Sequence, residues 1–302
     1  MKISIIGAGR VGSTLAYTLF IKGLAEELVM VDIDRDKAEG EALDIRHGLA
    51  AGEGKVRVVA GDYSDTASSE IVILTAGIPR KPGDSRLDLL KKNVRVMREM
   101  TVQVMEYNPG SLLFVVSNPV DVMTYTALKE SNLSPTKVFG LGTSLDTLRF
   151  RSLLGEYLGV DPTQVDALII GEHGDSMVPV WSLVAVDGIP LSHFGHPQKA
   201  LDEIFEQTRL GGAEVIRRKG GTAWAVAMAA ASVVEAVVFD QKKVMPVSSL
   251  VTDYYGTGEI CLSVPTIMGK SGVGKHLKIP LSDEEKTRFL HSATILKEAI
   301  MS

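Results

Sequence analysis

Six residues near the amino terminus, Gly7-Ala8-Gly9-Arg10-Val11-Gly12, carry the first chemistry: a short apolar run leads into them and a helical segment follows. Glycine at the first position permits a tight turn. At the third it lets the main chain approach a pyrophosphate, and at the sixth it lets the helix pack near the strand. The start of that helix then faces the phosphate charge. Glycines alone are ordinary turn residues, and the strand-turn-helix setting is what makes this pattern a dinucleotide site. Asp32 ends the next apolar run, twenty residues beyond Gly12. There a carboxylate accepts hydrogen bonds from an adenosine ribose and repels a 2'-phosphate. The expected cofactor is NAD rather than NADP, although the residues after Asp32 also weigh on that choice.

Other patterns carry less. Gly269-Lys-Ser-Gly-Val-Gly274-Lys275 nearly spells a P-loop, but His276 stands where Ser or Thr must reach magnesium, and the cluster is far from the first strand. His193 and His196 could form a metal pair, yet Pro197 and their isolation favour a loop or helix start. Cys261 is the only cysteine, which excludes an intramolecular disulfide and a cysteine-built zinc site. No metal is expected.

The elements that must position this chemistry follow from hydrophobic spacing. Ile3 to Ile6, Leu28 to Val31, Val56 to Val59, Ile71 to Leu74 and Leu112 to Val116 are apolar enough for strands covered on both faces. Amphipathic stretches alternate with them. Arg86 to Met105, for example, places Leu87, Leu90, Val94 and Met97 at helical spacing and leaves its cations on a solvated face. From about Gly140 the character changes: Val180 to Val186 runs into Asp187-Gly188, a hairpin signal. Helices are expected over 145–158, 197–218 with two glycines inside, 222–239, and from Ser282, where Ser282 and Glu285 have capping-box spacing. The expected fold class is α/β: a doubly wound parallel Rossmann domain over 1–140, then an α+β catalytic domain with antiparallel strands over 141–302.

Composition sets outer bounds. With 302 residues, 45% of them hydrophobic, the chain can bury a substantial core. Its net charge of -5 and interspersed cations give no footprint for nucleic acid. The most hydrophobic stretch, Ala223 to Phe239, is interrupted by Ser232 and Glu235 and falls short of a membrane span, so it is expected as a central buried helix. The opening MKISIIGAG resembles a buried strand more than a signal peptide, and a reducing cytoplasm fits the cysteine count.

Five further segments matter together: Arg80-Lys-Pro-Gly-Asp-Ser-Arg86, Ser117-Asn118-Pro119, Leu145-Asp146-Thr-Leu-Arg149, Gly171-Glu-His173-Gly-Asp175 and Lys219-Gly-Gly-Thr222-Ala-Trp. In this order and spacing, with the glycine turn, they resemble the lactate/malate dehydrogenase family over essentially the whole chain. The resemblance implies that His173 accepts the hydroxyl proton while hydride leaves the same carbon, a task suited to its ordinary pKa. Asp146 would orient the imidazole. Arg149 would grip the substrate carboxylate with its planar fork, although its spacing from Asp146 also fits a plain surface ion pair. Asn118 would hold the C2 oxygen and touch cofactor, with a cis Asn118-Pro119 bond. Pro79 to Arg86 would form a lid from which Arg86 polarises the ketone. The implied cofactor contacts are Gly7, Ala8, Gly9, Arg10, Val11, Gly12, Asp32, Ala76, Gly77, Asn93, Val116, Ser117 and Asn118.

Within that family Arg80 occupies the lid position where lactate-specific members typically carry Gln and malate-specific members Arg. Its guanidinium would pair with the distal carboxylate of malate or oxaloacetate. Leaving it unpaired in a closed site costs about 2 to 5 kcal/mol. Malate is therefore the expected substrate. Lactate is the alternative, because the segment with Thr222, expected to line the side-chain end of the pocket, is more like that of the lactate enzymes. The family implies a homo-oligomer, dimer or tetramer. A non-catalytic NAD-binding redox sensor is the reading from another class, though it has no use for His173, Asp146 and three arginines. An NAD-dependent glycosidase would need a cysteine and histidine metal set, and Cys261 has no obvious partner.

Overall fold

The apolar runs of the first half become the strands of one sheet. The computed structural model describes residues 1–51, 56–78 and 86–301; Arg80, with the rest of 79–85, and the side chain of Arg86 lie outside the described residues. The first six strands are β1 (Lys2–Ile6), β2 (Glu27–Val31), β3 (Arg57–Ala60), β4 (Ile71–Leu74), β5 (Leu112–Val115) and β6 (Val138–Gly140). They pair in parallel in the order β3-β2-β1-β4-β5-β6. Strand periodicity sends Ile3, Ile5, Leu28, Met30, Ile71 and Ile73 into the core on one face. Ile6, Val29, Val31, Val72 and Leu74 enter the core on the other. Helices therefore cover both faces, as parallel sheets require: α1 (Arg10–Ile21), α2 (Arg35–His47), α3 (Arg86–Tyr107) and α4 (Val120–Ser131).

Register places the site. Ile6 is level with Val31 and Leu74, and Leu74 with Val115. The residues that follow, Gly7, Asp32, Thr75 and Val116, thus leave the sheet along one edge. Strand order reverses between β1 and β4, which opens the crevice where such sheets bind ligands.

The second half continues the same sheet. It contains α5 (Ser144–Leu158), β7 (Val165–Asp166), β8 (Ile169–Ile170), β9 (Val178–Pro179), β10 (Ala185–Val186), β11 (Ile189–Pro190), α6 (Gln198–Lys219) and α7 (Trp224–Val238). β12 (Lys243–Thr252), β13 (Glu259–Gly269), β14 (Gly272–His276) and α8 (Asp283–Met301) follow. β12, β13 and β14 are antiparallel, and β12 joins β6 at Ser248 and Gly140, giving a mixed sheet of nine strands among the described residues. β8 and β9 form one small antiparallel pair, and β7, β10 and β11 a three-stranded sheet.

Several expectations meet their structural outcome here. The strand expected from Val180 exists only at Ala185–Val186, because Trp181 to Leu183 form a 3-10 turn. Tertiary contacts pull the chain out of extension: Trp181 packs edge-on to Phe150 at 4.9 Å, and Ser182 donates from both its N–H and its hydroxyl to Glu285. The hairpin itself forms, with positive φ at both Asp187 and Gly188. The glycine cluster near residue 270 is the β13 to β14 turn, with Gly269 opposite Gly272. Ser282 and Glu285 make both capping-box bonds at the start of α8. α7 is buried along most of its length, Glu235 is paired with Lys22, and no described helix is long and apolar enough to cross a membrane.

Candidate active site

The glycine turn is built by main-chain crowding. Gly7 has φ +109°, and a β-carbon there would lie 2.7 Å from the Ala76 nitrogen; at Gly12 it would lie 1.8 Å from the Gly7 carbonyl oxygen. Only glycine fits either place. Gly9 is different, because nothing lies within 4 Å of where its β-carbon would stand. It caps α1 without any side-chain hydrogen bond, so the helix start keeps unpaired N–H groups beside an open space. Asp32 accepts from the Ala8 N–H at 2.6 Å and from the Asp34 N–H at 3.0 Å, which brings the carboxylate against the turn. Each oxygen keeps acceptor capacity for a ribose hydroxyl. Gly7, Asp32, Ala76 and Gly77 border one cavity of about 560 Å³. These residues fit a dinucleotide.

Two expected contacts have structural duties as well. The Ser117 hydroxyl reaches the Ala76 carbonyl at 2.5 Å and the Leu74 carbonyl at 3.1 Å, tying the end of β5 to that of β4. Asn93, on α3 and 5% exposed, accepts from the Ile78 N–H at 2.7 Å and donates to the Ile78 carbonyl at 3.3 Å. Its amide braces the strand extension that leads toward residues 79–85. Arg10 donates to the Lys219 carbonyl at 3.0 Å and so spans from the turn to the segment carrying Thr222.

α5 supplies the expected orienting acid and carboxylate clamp. Asp146 lies in its first turn, where a helix start favours negative charge. Its side chain is fully buried and serves two donors: Oδ1 accepts from Arg149 at 3.0 Å, and Oδ2 meets His173 Nδ1 at 2.5 Å. The i,i+3 spacing does set both α5 residues on one face, but that face is inside the protein. Room for the guanidinium comes from the two glycines of α6, since a β-carbon at Gly211 would lie 3.3 Å from Arg149 Cδ. Burial alone would push His173 down, but the charge and hydrogen bond of Asp146, with the charge of Asp121, outweigh burial and the nearby Arg149, and the net shift is upward. With Nδ1 held, Nε2 is the ring nitrogen without a protein partner among the described residues. Asn118, Arg149, His173 and Thr222 border one cavity of about 320 Å³ with Val11 and Val116, so His173 and a residue of the glycine turn share a space.

Asn118 is exposed in the turn after β5, and the Asn118-Pro119 bond is cis as the resemblance implies. Arg86 begins α3. Two neighbours escaped the sequence reading of function. Asp121 accepts the His173 backbone N–H at 2.8 Å, and Arg209, on α6, pairs with Asp175 at 3.4 Å on the cavity rim. Asp121 had only the generic signal of an acid in a helix's first turn, and Arg209 had none. Among the described residues no group of acids, histidines and cysteine could hold a metal ion.

Comparison with known proteins agrees with this geometry. A family model described as lactate/malate dehydrogenase, NAD binding domain, matches residues 1–140, and one described as lactate/malate dehydrogenase, alpha/beta C-terminal domain, matches residues 143–302. An L-lactate dehydrogenase of Synechococcus sp. (strain JA-3-3Ab) is 46% identical over 304 residues, covering 100% of this chain and 99% of that protein. One of Acetivibrio thermocellus is 44% identical over 305 residues, covering 99% and 96%. Among solved structures, the minor L-lactate dehydrogenase from Enterococcus mundtii in its ligands-bound form superposes with TM-score 0.97 at 38% identity, covering 99% of this chain and 97% of that one. The apo malate dehydrogenase from Picrophilus torridus superposes with TM-score 0.95 at 36% identity, covering 99% and 96%.

Proposed function

We propose, for a chain that belongs to the lactate/malate dehydrogenase family, that it interconverts a short 2-hydroxy acid and its 2-oxo acid, and that L-lactate and pyruvate are the pair. The carrying observation is the buried Asp146 carboxylate, which holds His173 and Arg149 together on a cavity shared with the glycine turn. NAD is the family's cofactor, and when bound it supplies hydride transfer. Gly9, the start of α1 and Asp32 would hold its pyrophosphate and adenosine ribose. His173 Nε2 takes the hydroxyl proton in oxidation and returns it in reduction. Asp146 keeps the proton on Nδ1 in the neutral ring and balances the imidazolium. Arg149 binds the C1 carboxylate, Asn118 holds the C2 oxygen, and Arg86 stabilises charge developing on that oxygen.

L-Lactate is supported by full-length relatives of that name at 41 to 46% identity. Malate is the second reading, and Arg80 favours it, because a lid guanidinium pairs with a second carboxylate. The two separate in one experiment: kcat/KM for pyruvate and oxaloacetate with NADH, in the wild type and in Arg80→Gln. A pyruvate preference in the wild type supports the first reading. An oxaloacetate preference of about 30-fold or more that Arg80→Gln reverses replaces it with malate. NADH binding without turnover of either would leave a redox sensor.

A division near residue 140 into cofactor and substrate parts goes with this reading. So does a homo-oligomer, supported by the exposed apolar side chains of Leu148, Leu210, Trp224 and Met228 around a groove of about 950 Å³ between α5, α6 and α7. Light scattering in solution tests it.

A further inference from the structure

Asp121 is a buried carboxylate with too few partners. It sits in the first turn of α4, 1% exposed, three residues after Asn118. Oδ2 accepts the backbone N–H of His173 at 2.8 Å, while Oδ1 is buried with no partner in hydrogen-bonding geometry. The Ser248 hydroxyl on β12, fully buried and likewise without a geometric partner, lies against the same carboxylate. No described Lys or Arg forms an ion pair with it within 4.0 Å; the ionisable groups that act on it are His173 and Glu172, and its charge is felt by Cys261 on β13. An unpaired buried carboxylate is costly, and such groups gather where a site needs their charge.

We propose that Asp121 is a positioning residue for His173: its carboxylate pins the His173 main chain to the first turn of α4, directly after Asn118, and sets a second negative charge behind the imidazole. This rests on the dehydrogenase reading above. Asp146 holds the ring from one side, and Asp121 fixes the backbone from which the ring projects. One turn of α4 thereby sets the spacing between the proton acceptor and the amide assigned to the C2 oxygen. The charges agree with the geometry. Burial pushes the Asp121 carboxyl up to about 6, against the pull of Ser248, the His173 N–H and the His173 charge, while Glu172 pushes it further up. In return Asp121, with Asp146, favours the imidazolium against burial and Arg149. Proton gain at His173 and proton loss at Asp121 therefore support each other.

The test uses the whole enzyme and two variants. Asp121→Asn keeps an acceptor for the His173 N–H and removes the charge, whereas Asp121→Ala removes both. In 2-oxo acid reduction, which needs the imidazolium, the alkaline limb of the kcat profile should move down by about one unit in Asp121→Asn. Asp121→Ala should lose about 100-fold in kcat with little change in KM, as expected of a misplaced catalytic group, and Asp121→Asn should restore most of that loss. An unmoved limb in Asp121→Asn together with a full kcat in Asp121→Ala would overturn the proposal. If Asp121→Ala does not fold, the limb of Asp121→Asn decides alone. The His173 imidazole is also titrated by NMR in wild type and Asp121→Asn: a downward shift supports the pairing and an unchanged midpoint rejects it, even if neither 2-oxo acid is turned over and the dehydrogenase reading itself fails.

Discussion

Replacing Asp146 by asparagine tests the centre of the mechanism with the smallest change of shape. The wild-type carboxylate faces two donors, Arg149 at 3.0 Å and His173 Nδ1 at 2.5 Å, and is itself fully buried. Asparagine offers one acceptor oxygen and one donor nitrogen. If its oxygen stays with Arg149, its amide N–H turns toward His173 and forces the ring proton onto Nε2, where a proton acceptor must be bare. If the oxygen turns to His173 instead, the amide N–H meets the guanidinium and the carboxylate clamp loses its anchor. Either arrangement spoils one half of the site.

The size of the effect follows from the charges. Burial is the largest influence on His173 and opposes the imidazolium, and Asp146 is the main force that overturns it. Losing such a neighbour moves a pKa by about 1 to 3 units, or roughly 1.4 to 4 kcal/mol. With the tautomer error added, kcat should fall by about 100- to 10,000-fold. The alkaline limb of reduction should shift to lower pH, because burial then dominates. NADH affinity, read by fluorescence titration, should stay within about threefold, since the proposed cofactor contacts are elsewhere. Linkage gives a second sign. A raised folded-state pKa means that protonated His173 stabilises the fold below its ordinary value near 6.5 and loses that contribution as pH rises through the folded value. The variant's deficit in Tm should therefore be larger at about pH 5.5 than at about pH 8.5. A variant that keeps kcat within threefold and its limb in place would refute the account.

Three further substitutions probe the scaffold. Gly12→Ala should lower Tm sharply and abolish NADH binding, because its β-carbon would stand 1.8 Å from a main-chain oxygen; Gly9→Ala has open space, so it should keep its Tm and weaken NADH by about tenfold or more if the pyrophosphate lies there. Glu285→Gln should cost about 1 to 2 kcal/mol at neutral pH, since burial of the carboxylate is outweighed by donors from Ser182 and Ser282 and its pKa is held down. A depressed carboxylate stabilises above its ordinary value of 4.5 and loses this as pH falls through the folded value, so denaturation curves of the two proteins should converge in acid.

What the sequence disclosed, and what it hid, divides along physical lines. The parallel strands were legible because both of their faces are buried, so short β-branched runs stand out, and their ends were off by one or two residues where frayed pairing carries no chemical mark. β6 is three residues long, too short to register any period. β12 and β13 were masked by their prolines, which ordinarily demote a strand. Here Pro246 lies directly opposite Pro265, and their carbonyls accept outward from Ser144 and Leu277, so neither missing N–H breaks the ladder between them.

The site shows the same division more sharply. The glycine turn could be read from residues alone, because Gly7 and Gly12 answer to local main-chain crowding and the following helix makes the context visible. Asp146 and Arg149 could not, since an i,i+3 pair looks identical on a wet surface and in a core; what buries it is α6, more than fifty residues away, whose Gly211 and Gly212 leave the space. Asp121 was hidden for the same reason. An acid in a first turn ordinarily serves the helix dipole, and only the fold, by laying the His173 loop across the start of α4, makes it a partner of the proposed proton acceptor. Chemistry set by neighbours in the chain is therefore open to spacing arguments, whereas chemistry set by distant elements enters through resemblance or structure. That places the remaining substrate question at Arg80, whose expected partner is the substrate itself, and makes turnover the observation able to settle it.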